Sequence, residues 1–303
     1  MLKKEKLLLV VVGPTAVGKT AMAIALAKHY KTEIISADSR QFYKEMNIGT
    51  AKPSEQELAE AKHHFIDSHS IAEVYSAGDF ERDALVLLDK LFSSNEIVVM
   101  VGGSGLFVRA LCEGLDDLPK APAAIREHYN KLYEQKGLLF LQEKLKEIDP
   151  VYYTQTDIGN PQRIIRALEV FEVSGMPMSS FQKSNVDKRP FKVLTIGLNM
   201  DRAQLYDRIN KRVDHMMEQG LLEEVKRLVQ YRKQPALLTV GYAEFFDYLD
   251  GVLSLEEAID KVKQNSRKYA KRQITWFKKY GNTIWFEPQN INDIIGFVDR
   301  SVK

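Results

Sequence analysis

The sequence predicts an α/β fold: a doubly wound, mostly parallel sheet with an inserted all-helical subdomain. Three observations carry the prediction. Short, continuous apolar runs alternate with helical stretches through the first hundred residues, the pattern of parallel strands covered on both faces. A glycine-rich turn ending in Lys-Thr joins the first run to the first helical stretch. Strand character then stops near residue 119 and returns only at residue 191. The expected organisation is core over 1–118, helical insertion over 119–190, and core again over 191–303.

The elements follow in order. Leu7–Val12 reads as a buried strand, Thr20–His29 as a helix and Glu33–Ser36 as a second strand. Phe80–Phe92 is expected to be helical, with Leu85, Leu88 and Phe92 on one side, and Ile97–Val101 is another buried strand. In the insertion, Ala123–Gln135 and Leu138–Ile148 form a helical pair broken at Gly137 and ended by Asp149-Pro150. A third helix carries both end signals: Asn160 caps it, Pro161 suits its first turn, Ile164, Ile165, Leu168 and Phe171 form its apolar stripe, and Gly175 stops it. Phe191–Leu198 restores the strand pattern. Asp201 then caps a long helix with Leu205, Ile209, Val213 and Met216 on its buried face, followed by Leu221, Val225 and Leu228. Leu255–Lys279 reads as another helix and Thr283–Phe286 as a last strand.

Composition narrows the function classes. At 303 residues, 45% hydrophobic and 28% charged, the chain can bury a large core, which excludes a mainly disordered or fibrous protein. A single cysteine, Cys112, excludes an internal disulfide framework and a cysteine zinc site, and points to a reducing compartment. The basic start at Met1–Lys6 leads into an apolar run that stops at Gly13-Pro14, far short of the roughly 20 residues a membrane helix needs. A cytoplasmic protein with no membrane partner is expected. The net charge of +2 hides an asymmetry: residues 261–280 hold eight basic side chains and no acidic one. Such a cluster is either a solvated helix face or a polyanion-binding surface.

Gly13-Pro14-Thr15-Ala16-Val17-Gly18-Lys19-Thr20 fits G-x-x-x-x-G-K-[ST] between a strand and a helix, the context that marks a P-loop. Its glycines let backbone N–H groups turn inward, the helix N-terminus adds positive potential, and Lys19 supplies a mobile cation. Thr20 offers a hydroxyl to a Mg²⁺ bridging phosphates. The same loop carries the expectation of nucleotide binding, ATP included. In a motor or switch ATPase a buried strand would end in a metal-binding acid, but Ile97–Val101 runs into Gly102-Gly103-Ser104-Gly105. The strand ending at Ser36 runs instead into Asp38, at the edge where open α/β sheets hold ligands. That carboxylate is a metal partner, a general base or a turn residue.

Several segments together resemble one family, the bacterial tRNA dimethylallyltransferases (tRNA isopentenyltransferases). They are Gly13–Thr20, Asp38-Ser39-Arg40-Gln41-Phe42-Tyr43, Met46–Pro53, His63–Asp67, Val101–Phe107, Asn160–Ala167, Gly241-Tyr242 and Ala270–Phe277. They span nearly the whole chain in the family's order. The resemblance implies transfer of a dimethylallyl group from dimethylallyl diphosphate to N6 of the adenosine just 3′ of a tRNA anticodon, with diphosphate leaving. It implies that Asp38, Ser104 and Lys19 are catalytic, that Gly13, Thr15, Ala16, Val17, Gly18, Lys19 and Thr20 hold the diphosphate, and that Thr20 meets Mg²⁺. It further implies that Asp38, Ser39, Arg40, Gln41, Ser104, Arg126, Gln162, Arg163, Arg166, Lys271 and Arg272 meet the anticodon stem-loop of tRNA. Arg163 and Arg166 lie on one helical face, read as opposite no other charge. The commoner family form has Thr at Ser104, whose hydroxyl is retained, and Tyr at Phe107, which therefore has no assigned role. His63-His64 is read as structural because adjacent side chains point apart, and Trp276 and Phe277 as core. The chain is expected to be a monomer.

Three other readings stay open on the residues alone. A small-molecule kinase would also carry a phosphate loop and a carboxylate after a strand. An adenylate dimethylallyltransferase acting on free nucleotide would need neither insertion nor basic cluster. A non-catalytic RNA-binding module would leave Lys19, Thr20 and Asp38 unused.

Overall fold

The computed structural model describes residues 5–182 and 189–302. The first four residues of the basic start and residues 183–188 of the expected insertion lie outside the described residues. The chain divides into two units, Met1–Glu113 with Lys188–Lys303, and Gly114–Asp187.

The larger unit is organised on one six-stranded sheet. Its strands are β1 (Leu7–Val12), β2 (Ile34–Ser36), β3 (His63–His64), β4 (Ile97–Val101), β5 (Lys192–Leu198) and β6 (Ile284–Phe286), in the order β3-β2-β4-β1-β5-β6. All the pairings are parallel. β1 is the hub: Leu9 lies between Val99 and Leu194, and Val11 between Val101 and Ile196. Because successive side chains alternate faces, Leu7, Leu9 and Val11 enter one core layer with Met22 and Leu26. Leu8, Val10 and Val12 enter the other, with Phe80 and Leu88. This double burial is why the run is unbroken rather than alternating.

Helices flank the sheet. α1 (Lys19–Tyr30) leaves the phosphate loop directly. α2 (Glu55–Glu60) and α3 (Ala77–Leu91) both open with capping boxes, Ser54 with Glu57 and Ser76 with Asp79. The second box starts α3 before Phe80, the start expected from apolar spacing alone. α4 (Gly105–Glu113) follows β4 through the Gly102-Gly103-Ser104 turn.

The helical unit, Gly114–Asp187, contains α5 (Ala123–Ile148), α6 (Pro150–Gln155) and α7 (Pro161–Ser174). α5 kinks at Gly137, where φ is 78° and ψ 179°. Its own core gathers Tyr129, Leu141 and Leu145 against Ile164, Ile165 and Leu168.

Back in the larger unit, α8 (Arg202–Glu218) is capped by Asp201 through Ala203 and Gln204 N–H. α9 (Leu221–Arg227) and α10 (Ala243–Leu249) pack with α11 (Leu255–Lys279) around Tyr242, Phe245 and Val262. α12 (Ile291–Val302) packs Ile294 and Val298 into the α1 layer. His63 and His64 form the edge strand, with His64 Nε2 on Glu33 at 2.5 Å and His63 Nδ1 on Ala61 O at 2.8 Å. Their neighbours are those of a structural edge.

Candidate active site

The phosphate loop turns sharply against β5. Gly13 has φ 145°, and a Cβ there would meet Leu198 O at 2.5 Å, so only glycine fits this close approach. Ala16 and Gly18 take positive φ, 64° and 105°, which curves the Thr15–Lys19 backbone around the cradle. Lys19 Nζ donates to Pro14 O at 2.8 Å. Burial lowers the Lys19 ammonium most strongly, nearby Asp38 offsets part of this and Arg212 adds to it, so its pKa is pushed down to about 8. Arg212 comes from α8 and donates to Thr15 Oγ1 at 3.2 Å; burial lowers its pKa and Asp38 partly restores it.

Across from the loop, the turns after β2 and β4 bring two candidates together. Asp38 Oδ1 accepts Arg40 N–H at 3.0 Å, leaving acceptor capacity on a carboxylate that lies near Lys19, Arg212 and Tyr269. Ser104 Oγ accepts Ser39 N–H at 3.0 Å and sits 3.0 Å from Ser39 Oγ. Tyr269 of α11 stands beside them; burial, followed by Asp38, pushes its phenol up to about 12. These groups line a cavity of about 650 Å³ that Thr15, Ser39, Arg40, Arg212 and Arg272 also face. Its other wall is apolar, built from Val213, Met216, Leu238 and Val240. The size falls in the usual range for small-ligand sites.

A third segment closes the wall. Buried Glu224 accepts Asn47, Ile48 and Gly49 N–H at 2.9–3.0 Å and Tyr242 O–H at 2.7 Å. Gln41 Nε2 donates to Thr50 O and Ala51 O at 3.2 and 3.1 Å. Gln41 therefore fastens this loop, although the resemblance assigned it to tRNA.

The remaining candidates fall into two groups. On α11, Lys271 is exposed, and Arg272 faces the cavity with its guanidinium 5.6 Å from the Tyr269 ring centre. Phe277 is buried and Trp276 packs partly buried on the sheet layer. In the helical unit, Arg126 reaches Glu169 at 2.6 Å and Gln162 at 3.1 Å, while Arg163 is exposed. Arg166 does face a charge, contrary to expectation: Glu169, one turn on, accepts from it at 3.2 Å, and Pro119 O at 3.0 Å. Arg212, Tyr269 and Glu224 were not singled out by sequence, and Gln273 stood in the Ala270–Phe277 segment without a role of its own. Arg212 sits between Ile209 and Val213 on a stripe whose spacing reveals a buried face and nothing about the loop it meets.

Comparison with known proteins decides the family. Residues 41–280 match the IPP transferase family model. The tRNA dimethylallyltransferase of Christiangramia forsetii is 50% identical over 294 residues, 97% of each chain. The chain belongs to this family. Among solved structures, the tRNA isopentenylpyrophosphate transferase of Bacillus halodurans aligns with TM-score 0.73 at 38% identity, covering 99% of this chain and 97% of its own. A eukaryotic dimethylallyltransferase acting on tRNA aligns with TM-score 0.78 at 26% identity, covering 95% of this chain and 75% of its own. As a member of the IPP transferase family the chain is a prenyltransferase, and its fold is the α/β architecture of these relatives.

Proposed function

We propose that the chain transfers a dimethylallyl group from dimethylallyl diphosphate to N6 of the adenosine 3′-adjacent to the anticodon in tRNA, releasing diphosphate. The observation that carries this reading is the cavity in which Thr15 of the phosphate loop and Arg212 face the Asp38 carboxylate, with the Lys19 ammonium buried close to that carboxylate. That polarity suits a reaction in which negative charge leaves on one side and a proton leaves on the other.

Lys19 and the loop N–H groups stabilise the charge growing on the diphosphate as the donor's C1–O bond breaks; losing one such donor typically costs about 10²–10³ in rate. N6 forms the new bond to C1, and the electron pair of the broken bond departs with diphosphate oxygen. Adenine N6 is a weak nucleophile because its lone pair is delocalised into the ring, so the allylic cation character of C1 carries much of the reactivity. Asp38 accepts a hydrogen bond from the amino group, orients it and takes its proton, help worth about 10²–10⁴. Ser104, fixed by Ser39, stands beside that exchange.

The donor set suits Mg²⁺. The described residues hold no cluster of three His, Cys, Asp or Glu, and Mg²⁺ commonly binds through one or two protein oxygens plus substrate phosphates. Thr20 would provide a hard oxygen of that kind. The ion would neutralise diphosphate charge.

The adenosine must leave the anticodon-loop stack to enter, which costs a few kcal/mol and least in a single-stranded loop. Exposed Lys271, with Arg272, offers RNA phosphates their counter-charge, and Arg163 does so from the helical unit. No helix among the described residues is long and apolar enough to cross a membrane. The chain works as a monomer in the cytoplasm, where its lone Cys112 stays reduced.

The test is direct. Purified protein with Mg²⁺, dimethylallyl diphosphate and unmodified tRNA should yield N6-dimethylallyladenosine, read by mass spectrometry of digested tRNA. Product from AMP and none from tRNA would move the reading to free nucleotide. ATP-dependent phosphorylation would move it to a kinase.

A further inference from the structure

We propose that Gln273 is a positioning residue that locks the phosphate loop to the Gly102–Gly105 turn and so fixes the diphosphate cradle relative to Ser104. The inference rests on the reading of the cavity given above. Gln273 lies on the buried face of α11, 5% exposed. Its Oε1 accepts Thr15 N–H at 2.8 Å, and its Nε2 donates to Gly103 O at 3.0 Å. One amide thus spans two loops lying 258 and 170 residues away in sequence.

The amide can sit only one way round. Turned over, its NH₂ would face the Thr15 donor and its oxygen the Gly103 carbonyl, two repulsive pairings in a buried place. The approach is also tight: a Cβ on Gly103 would lie 2.3 Å from Nε2 and 3.7 Å from Lys19 Nζ. A second anchor, Arg212 on Thr15 Oγ1, holds the same loop residue. Phosphate loops usually turn their N–H groups toward the ligand. Here the Thr15 N–H is already taken by the protein, so the loop has its shape before diphosphate arrives. Catalysis gains from donors that need not reorganise as charge develops, and a displacement of about 1 Å can cost about 10²-fold in rate.

The experiment compares wild type with Gln273→Leu, which removes both bonds, and Gln273→Glu, which retains the acceptor for Thr15 N–H. With tRNA and dimethylallyl diphosphate both saturating, kcat should fall about 10–100-fold in Gln273→Leu and also fall in Gln273→Glu, whose second oxygen meets Gly103 O. Affinity for tRNA should stay within about twofold, since the α11 cations are untouched. A Gln273→Leu protein that melts earlier but turns over normally while folded would reduce the residue to packing and overturn the proposal. Should the variants fail to fold, hydrogen exchange of the wild-type Thr15 amide decides. Strong protection without ligand supports the lock, and exchange near the free-peptide rate overturns it. Wild type inactive on tRNA would sink the reading of the cavity instead, while the Thr15 amide would still report whether the lock exists.

Discussion

Asp38 lines the cavity and Glu224 stands behind its wall, bonded to the wall residues Gly49 and Tyr242, and the two carboxylates are used in opposite ways. Glu224 accepts three backbone N–H groups and one phenol O–H, all supplied by the protein, and is 3% exposed. Asp38 accepts one backbone N–H among the described residues and otherwise looks onto Lys19, Arg212 and Tyr269. A carboxylate whose lone pairs are all matched by donors of the chain is architecture. One that keeps lone pairs turned toward cations in a cavity is arranged for something that arrives later. Burial and acceptor capacity, read together, separate the two where residue type does not.

Substitution can break that contrast. Asp38→Ala should lower single-turnover transfer by about 10²–10⁴-fold and leave the urea midpoint nearly unchanged; near-normal turnover would remove Asp38 from the chemistry. Glu224→Ala should do the reverse. Leaving three part-buried N–H groups and the buried Tyr242 phenol without their acceptor should cost roughly 3 kcal/mol of unfolding free energy, measured by urea denaturation. Transfer by the fraction still folded at low temperature should survive far better than in Asp38→Ala. The smallest effect sharpens the same division among the cations. Lys271 is exposed, whereas Arg126 is committed to Glu169 and Gln162. Lys271→Ala should therefore weaken tRNA binding and reduce the slope of log affinity against log salt by about 1, with an unchanged slope placing this lysine away from the RNA.

What the sequence makes legible is what is decided locally. The turn from Gly13 to Thr20 is written in adjacent residues, and so are the Asn160-Pro161 start of α7, the Asp201 cap of α8 and the bounds of α11. Strand β3 is only two residues long and owes its existence to pairing with Ile34 and Ile35, so no periodicity could announce it. Arg212, Glu224 and Gln273 escaped for another reason. Each acts on a partner more than 150 residues away, and a helical stripe tells which side of a residue is buried without telling what lies opposite. Gln41 adds a role that the resemblance did not carry: its Nε2 fastens its own loop.

The placement of β1 between β4 and β5 also bears on how the molecule is made. During synthesis Leu7–Val12 emerges long before its partner, and its register with Lys192–Leu198 cannot form until some 180 further residues have left the ribosome. Until then the central strand has an open edge, and contacts of such long range form slowly. The nascent chain must keep an unpaired apolar ribbon from aggregating, which makes β1 the segment a chaperone would be expected to shelter.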